Sequence, residues 1–211
     1  MLDIDPRHDP QDPLHESRLR GPVSALAAAL CGCYPLHGAG LLFGNAFVGI
    51  TAGSGTGKST LTALAADSGV RVSGDDLLIL RANGDVLSLE GMLRVEPASA
   101  PQGWSSRSIT PDGRGWYALG ALPEAWIPLR ALVVLERGEG VRLTPVRGAE
   151  RLGAVVRAGY VSPVESAPSE AWQLLVHNLS SRLRIFRLQV PDSLDRLRSA
   201  WTEIASALEA L

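Results

Sequence analysis

The segment from Ala52 to Thr60 limits the folds open to this chain more than any other part of its sequence. It reads Ala-Gly-Ser-Gly-Thr-Gly-Lys-Ser-Thr, between an apolar run at 46–51 and a helix-like stretch at 61–66. A strand, a glycine-rich loop ending in Gly-Lys-Ser and a helix together make a phosphate-binding P-loop. The strict pattern begins with glycine where this chain has Ala52. Because alanine is the smallest substitute, we expect the loop to form and to bind nucleotide phosphates.

Each part of this loop has a chemical task. Glycines let backbone N–H groups approach phosphate oxygens closely, and the following helix points its positive end at the same oxygens. Lys58 is expected to reach the β- and γ-phosphates, and the Ser59 hydroxyl is expected to bind Mg²⁺. The predicted nucleotide-binding residues are Gly53, Ser54, Gly55, Thr56, Gly57, Lys58, Ser59 and Thr60.

Two adjacent carboxylates, Asp75 and Asp76, follow a predicted strand at 70–73. Ligands of open α/β sheets bind beyond the carboxyl ends of strands, so this pair is expected beside the P-loop. Phosphoryl transfer there needs one group that holds Mg²⁺ and one that accepts the proton of the attacking hydroxyl. Adjacent residues of an extended segment point to opposite sides, so the two aspartates need not share a task.

The pattern of apolar segments predicts an α/β P-loop domain with a mixed β-sheet flanked by helices. Residues 1–14 are polar and rich in proline, and are expected to form a tail before a single domain at 15–211. A helix is predicted from 16 to 33, with its start delayed by Gly21 and Pro22. Residues 97–113 contain prolines, glycines and serines without periodicity, and are expected to form a long structureless loop.

Charge and composition exclude several classes of function. The net charge is −2, which does not suggest a nucleic-acid partner. No apolar run approaches the roughly 18 residues that span a membrane, and no signal peptide is recognisable, so a cytoplasmic location without membrane association is expected. Cys31 and Cys33 form a single Cys-x-Cys, which offers too few ligands for a structural metal site.

The order of these motifs resembles the catalytic domain of the HPr kinase/phosphorylase family. The resemblance rests on His37-Gly38, an apolar hairpin, the P-loop and the run from Gly69 to Asp76. It is stronger for the stand-alone HPr-kinase-like proteins of bacterial gene clusters, some of which make lasso peptides whose precursor is phosphorylated on a C-terminal serine. The family is related in fold to phosphoenolpyruvate carboxykinases. The roughly 33 residues before the matching segment are expected to be too few for the separate N-terminal domain of the bifunctional enzymes. Residues 86–100 reproduce poorly the glycine-rich signature that those enzymes carry after the aspartate pair and that is tied to phosphorolysis.

The resemblance implies a role for each candidate residue. Lys58 binds the triphosphate of ATP, and Ser59 binds Mg²⁺. Asp75 is the expected base for the acceptor serine and Asp76 the expected metal support, although the two roles are interchangeable at this level. His37 is expected near the γ-phosphate. By analogy with a family that often forms hexamers, a homo-oligomer is a further expectation.

The leading functional prediction is an ATP-dependent serine kinase acting on a peptide or small protein. A small-molecule P-loop kinase and a non-catalytic nucleotide-binding regulatory module are the alternatives. Arg107 and Arg114, in or beside the long loop, are candidates to hold the acceptor or the transition-state oxygens. Trp104 and Trp116 flank the same region and are suited either to gripping a peptide or to packing.

Overall fold

The computed structural model describes residues 17–88, 91–120, 122, 125–160 and 170–211. The predicted tail at 1–14 lies outside them. The helices are α1 (Ser24–Leu30), α2 (Lys58–Asp67), α3 (Glu150–Ala158), α4 (Glu170–Arg182), α5 (Leu194–Ser199) and α6 (Trp201–Glu209). The strands are β1 (Tyr34–Leu36), β2 (Ala39–Phe43), β3 (Ala46–Ala52), β4 (Arg71–Ser73), β5 (Leu78–Leu80), β6 (Asp85–Leu87), β7 (Met92–Val95), β8 (Ser108–Ile109), β9 (Gly115–Ala118), β10 (Trp126–Gly138), β11 (Arg142–Pro145) and β12 (Ile185–Pro191).

A mixed sheet forms the centre of the fold, as predicted. Its strand order is β1-β5-β6-β10-β3-β2-β4, and β12 pairs with β10 and with β11. The pairs β10–β3 and β10–β12 are parallel, whereas β2 is antiparallel to both β3 and β4. The parallel pairing places the carboxyl ends of β3 and β10 side by side, which is where ligands bind in α/β sheets.

Helices cover both faces of this sheet. Adjacent β10 residues belong to different clusters, since Leu132 packs in one core and Val133 in the other. The first core includes Val155 of α3 and Leu179 of α4. The second includes Leu61 of α2, together with residues of α5 and α6. The α/β class with a flanked mixed sheet is therefore confirmed. No helix within the described ranges is long and apolar enough to cross a membrane.

A second, three-stranded sheet corrects the prediction of a structureless loop at 97–113. Its order is β7-β9-β8, and a 3₁₀ turn at Pro97–Ser99 precedes β8. The β8–β9 hairpin closes through Thr110, whose N–H and hydroxyl both donate to the Arg114 carbonyl at 2.8 Å. Gly113 takes φ +81° in this turn. The Pro-Asp-Gly run is thus a hairpin turn and not part of a structureless loop.

The first helix also differs from its prediction. Pro22 does not delay the helix, because a π-helical turn at Leu19–Val23 contains it and leads directly into α1. Proline has no N–H to donate, and in the wider turn the Ser24 N–H donates to the Leu19 carbonyl. This turn places Arg18 and Arg20 on the wall of a cavity of about 430 Å³, which Asp75 and Asp76 also line.

Candidate functional site

The P-loop leaves β3 after Ala52 and ends where α2 begins at Lys58. The Thr56 N–H donates to the Gly53 carbonyl at 3.2 Å, which closes the loop. Gly57 caps the helix with φ +99°, a conformation that glycine adopts without the steric cost of a Cβ. Strand, loop and helix therefore have the arrangement that the sequence predicted, with the helix N-terminus facing the space enclosed by the loop.

Lys58 is the buried cation at the centre of the site. Its Nζ lies 3.0 Å from Asp75 Oδ1 and 3.4 Å from Asp76 Oδ1. The ammonium also donates to the backbone carbonyl of Asp75. The side chain is only 7% exposed, so its charge requires this compensation when no phosphate is bound.

The two aspartates share Lys58 but differ in their surroundings. The Asp75 carboxylate is 1% exposed, and its second oxygen accepts the Arg94 N–H at 3.3 Å. The Asp76 carboxylate is 24% exposed, and its second oxygen lies 3.5 Å from Arg94 Nη2. Gly74, with φ +61°, bends the chain after β4, so both carboxylates reach the same ammonium instead of pointing to opposite sides. Asp75 is engaged inside the protein, whereas Asp76 remains accessible.

A cleft of about 450 Å³ lies over the P-loop. Its walls include the predicted loop residues 53–55 and 57–60, as well as Asp76 and His37. Thr56 and Asp75 are the predicted site residues that do not line it. The Thr56 side chain turns back toward Gly53, where its hydroxyl lies 3.5 Å from the position of a Cβ.

His37 is held between β1 and β2 by its backbone. Its N–H donates to the Ala158 carbonyl at 2.7 Å, and its carbonyl accepts the Thr51 hydroxyl at 2.8 Å. Burial lowers the pKa of the imidazole below its ordinary value, and the nearby Lys58 charge lowers it further. Asp76 opposes these effects through its charge and a backbone hydrogen bond. The ring is therefore favoured in its neutral form at the edge of the cleft.

Three arginines in the described part of the chain line the cleft, and only Arg114 among them is a candidate from the sequence. Arg94, on β7, pairs with Asp76. Arg137, on β10, donates from Nη1 to the Pro191 carbonyl at 3.0 Å, and its Nη2 lies 2.6 Å from where a Gly57 Cβ would stand. One signal could have identified Arg137. Arg137 lies two residues after Leu135, which pairs with Ala52 at the end of β3. It therefore lies at the carboxyl end of a strand parallel to β3.

The remaining candidates from the long segment lie elsewhere. Arg107 is exposed, with Nη1 4.0 Å from the Met92 sulfur, and it does not line the cleft. Trp116 is buried and donates from Nε1 to the Ser17 hydroxyl at 3.3 Å. Trp104 packs on Tyr117 with ring centroids 5.9 Å apart. Both tryptophans therefore contribute to packing.

The protein oxygen atoms on the cleft wall are suitable ligands for Mg²⁺ that is bound together with a nucleotide. Within the described residues there is no cluster of three or more metal-ligating His, Cys, Asp or Glu side chains, and Cys31 and Cys33 are free thiols. Mg²⁺ commonly takes one or two protein oxygens together with phosphate oxygens and water. Ser59 and Asp76, both on the cleft wall, match that pattern, and the loop with Lys58 would hold the phosphates.

Comparison with known proteins finds similarity among solved structures. No protein-family description matches the chain, and no curated protein matches it. Among solved structures, the chain is similar to the HPr(Ser) kinase/phosphatase from Coxiella burnetii, with a TM-score of 0.36 and 13% identity. The match covers 82% of this chain and 95% of that one. That protein is of the kind that the sequence motifs resemble.

Proposed function

We propose that this protein is an ATP-dependent kinase that transfers the γ-phosphate to a serine hydroxyl of a peptide or small protein. The observation that carries the proposal is the position of Lys58. Lys58 is the first residue of the P-loop helix, and its ammonium contacts two carboxylates. Asp75 is buried, and Asp76 faces the cleft. A site that only bound a nucleotide would have little need for a pair of carboxylates at the phosphate end.

The proposed reaction assigns the aspartates different tasks. Asp75, with both oxygens engaged, holds Lys58 in the position from which it contacts the β- and γ-phosphates. Asp76 accepts the proton as the acceptor oxygen bonds to the γ-phosphorus and the bond from that phosphorus to the bridging oxygen of ADP breaks. The sequence leaves the roles of base and metal ligand interchangeable between the two aspartates, and we assign the role of base to Asp76 instead of Asp75. Ser59 then becomes the main protein ligand of Mg²⁺, which supplies charge neutralisation to the phosphates.

Charge neutralisation by further side chains is the other contribution of the chain. Phosphoryl transfer depends mostly on positioning and on neutralising oxygens. Arg94, Arg114 and Arg137 line the same cleft as Lys58, and we assign them the stabilisation of phosphate charge. His37, favoured as neutral, serves as a hydrogen-bonding group near the transferred phosphate.

The test uses wild-type protein, ATP·Mg²⁺ and a degenerate library of serine-containing peptides, with phosphoserine detected by mass spectrometry. Asp76→Asn should lower the transfer rate by at least about 100-fold, the lower range for a general base, while ATP affinity measured by calorimetry stays unchanged. Asp67→Asn is the matched control, because Asp67 is exposed at the end of α2.

Three outcomes would contradict parts of the proposal. An Asp76→Asn protein with full activity would remove Asp76 from the base role. ATP binding by the wild type without transfer to any peptide or small hydroxyl compound would favour the regulatory module. Transfer to small hydroxyl compounds alone would favour the small-molecule kinase.

A further inference from the structure

A second cavity, of about 430 Å³, adjoins the P-loop cleft. Asp76 and Arg94 line both spaces, so their ion pair is a wall common to the two. Because Asp76 also faces the second cavity, a hydroxyl group or a water molecule there can meet its carboxylate while a nucleotide occupies the cleft. Phosphoryl transfer to an acceptor requires that water be kept from this position.

Tyr160 lies next to this common wall. It lines the second cavity, and its ring packs against His37, which lines the cleft. The two ring centroids are 6.0 Å apart and the rings are tilted by 54°, which is an ordinary aromatic contact. Burial raises the pKa of the Tyr160 phenol, the Asp76 charge raises it further, and the Arg94 charge lowers it. The phenol therefore keeps its proton at neutral pH and lies close enough to both charged side chains to feel their charges.

The main chain fixes Tyr160 and His37 relative to each other. The Tyr160 N–H donates to the Pro35 carbonyl at 2.8 Å. The His37 N–H donates to the Ala158 carbonyl at 2.7 Å. These two hydrogen bonds flank an antiparallel bridge between β1 and the residue that follows α3. The contact between the two rings therefore follows from backbone pairing and does not depend on the rings alone.

The hydroxyl end of Tyr160 lies against another wall of the second cavity. Its oxygen is 3.0 Å from where a Cβ of Gly21 would stand. Gly21 is buried in the π-helical turn and also lines the cavity. Because a side chain at this position would press against the phenol, glycine leaves the space that the hydroxyl needs. The Tyr160 side chain thus extends from His37 to Gly21, beside Asp76.

We propose that Tyr160 is a specificity-determining residue whose ring keeps water from the Asp76 carboxylate, so that an acceptor hydroxyl and not water receives the γ-phosphate. This inference rests on the proposed function for the role of Asp76 as base. Without the ring, a water oxygen bonds to the γ-phosphorus, the bond from that phosphorus to the bridging oxygen of ADP breaks, and a water proton passes to Asp76. The product is then inorganic phosphate in place of a phosphorylated acceptor.

The experiment measures phosphate release from ATP·Mg²⁺ by the full chain with no acceptor present. The side chains of Tyr160→Ala and Tyr160→Leu are too short to reach Gly21. Both variants should release phosphate at least about tenfold faster than the wild type, which is a small part of the roughly 100-fold that a general base can contribute. Tyr160→Phe keeps the ring and should match the wild type. Leu174→Ala is the control, since Leu174 is exposed and lines neither cavity. Thermal unfolding checks that every variant is folded.

A second measurement needs no turnover. ADP·Mg²⁺ with tetrafluoroaluminate mimics a phosphoryl group during its transfer to a water molecule. Because a faster hydrolytic step means tighter binding of its transition state, calorimetry should show this complex binding at least about tenfold more tightly to Tyr160→Ala and Tyr160→Leu than to the wild type. ADP·Mg²⁺ alone should bind equally to all of them.

The outcomes separate this inference from the proposed function. Unchanged phosphate release or unchanged tetrafluoroaluminate affinity in folded Tyr160→Ala and Tyr160→Leu proteins would overturn the role of Tyr160, even where the wild type makes phosphoserine. An equal increase in Tyr160→Phe would overturn it as well, because that variant keeps the ring. Faster phosphate release by the two shorter variants, with no peptide phosphorylated by any of the proteins, would support the role of Tyr160 and contradict the serine kinase.

Discussion

Replacing Asp75 by asparagine should destabilise the nucleotide-free protein far more than the same change at Asp76. At 3.0 Å, the Coulomb energy of the Lys58–Asp75 pair is about 5.5 kcal/mol with an effective dielectric constant of 20. Breaking a buried pair typically costs about 3–5 kcal/mol. Lys58 keeps its contacts with Asp76 and the Asp75 carbonyl, so we expect about 3 kcal/mol, the lower end of that range. The more exposed Asp76 should cost less than about 1 kcal/mol.

Urea unfolding followed by tryptophan fluorescence measures these differences, and a double-mutant cycle with Lys58→Met isolates the pair. Asp75→Asn and Lys58→Met each leave one buried charge without its main partner, whereas the double variant leaves neither charge. The double variant should therefore be more stable than the sum of the single effects predicts, by roughly 2–3 kcal/mol. Additive effects, or equal losses at the two aspartates, would refute the division into a buried anchor and an accessible carboxylate.

Two other perturbations follow from the same site. Because burial lowers the pKa of His37, the unfolded chain binds that proton more readily, so stability should fall as pH drops below about 6.5. His37→Gln should reduce this loss of urea stability, and a change at the exposed His177 should not. Gly57→Ala and Gly69→Ala, at φ +99° and +91°, should each cost about 1–2 kcal/mol in urea unfolding. Only the Gly57→Ala side chain would displace Arg137, so only this variant should weaken ATP binding in calorimetry, by roughly tenfold. Equal ATP affinity in the two variants would contradict a role for Arg137 in binding phosphate.

The parts of the fold that sequence predicted are those governed by local chemistry. The P-loop and the β2–β3 hairpin follow from short apolar runs and glycine turns, and the structure has them where expected. The β8–β9 hairpin was missed because its strands are short and its turn lies within a proline- and glycine-rich segment. Arg94 was missed for another reason. Its contact with Asp76 depends on where the small sheet packs, which no local pattern records.

The difference between the two aspartates shows how a local feature acquires meaning only in the fold. Sequence alone places Asp75 and Asp76 in adjacent positions and leaves their roles interchangeable. The bend at Gly74, directly before the pair, distinguishes the two positions. This bend requires glycine, because φ there is +61° and a Cβ would lie 2.8 Å from the Leu77 carbonyl oxygen. The bend buries the first carboxylate against Lys58 and the Arg94 N–H, and leaves the second at the wall between two cavities. A glycine that resembles an ordinary strand-end turn thus gives the two carboxylates different surroundings, from which their separate tasks follow.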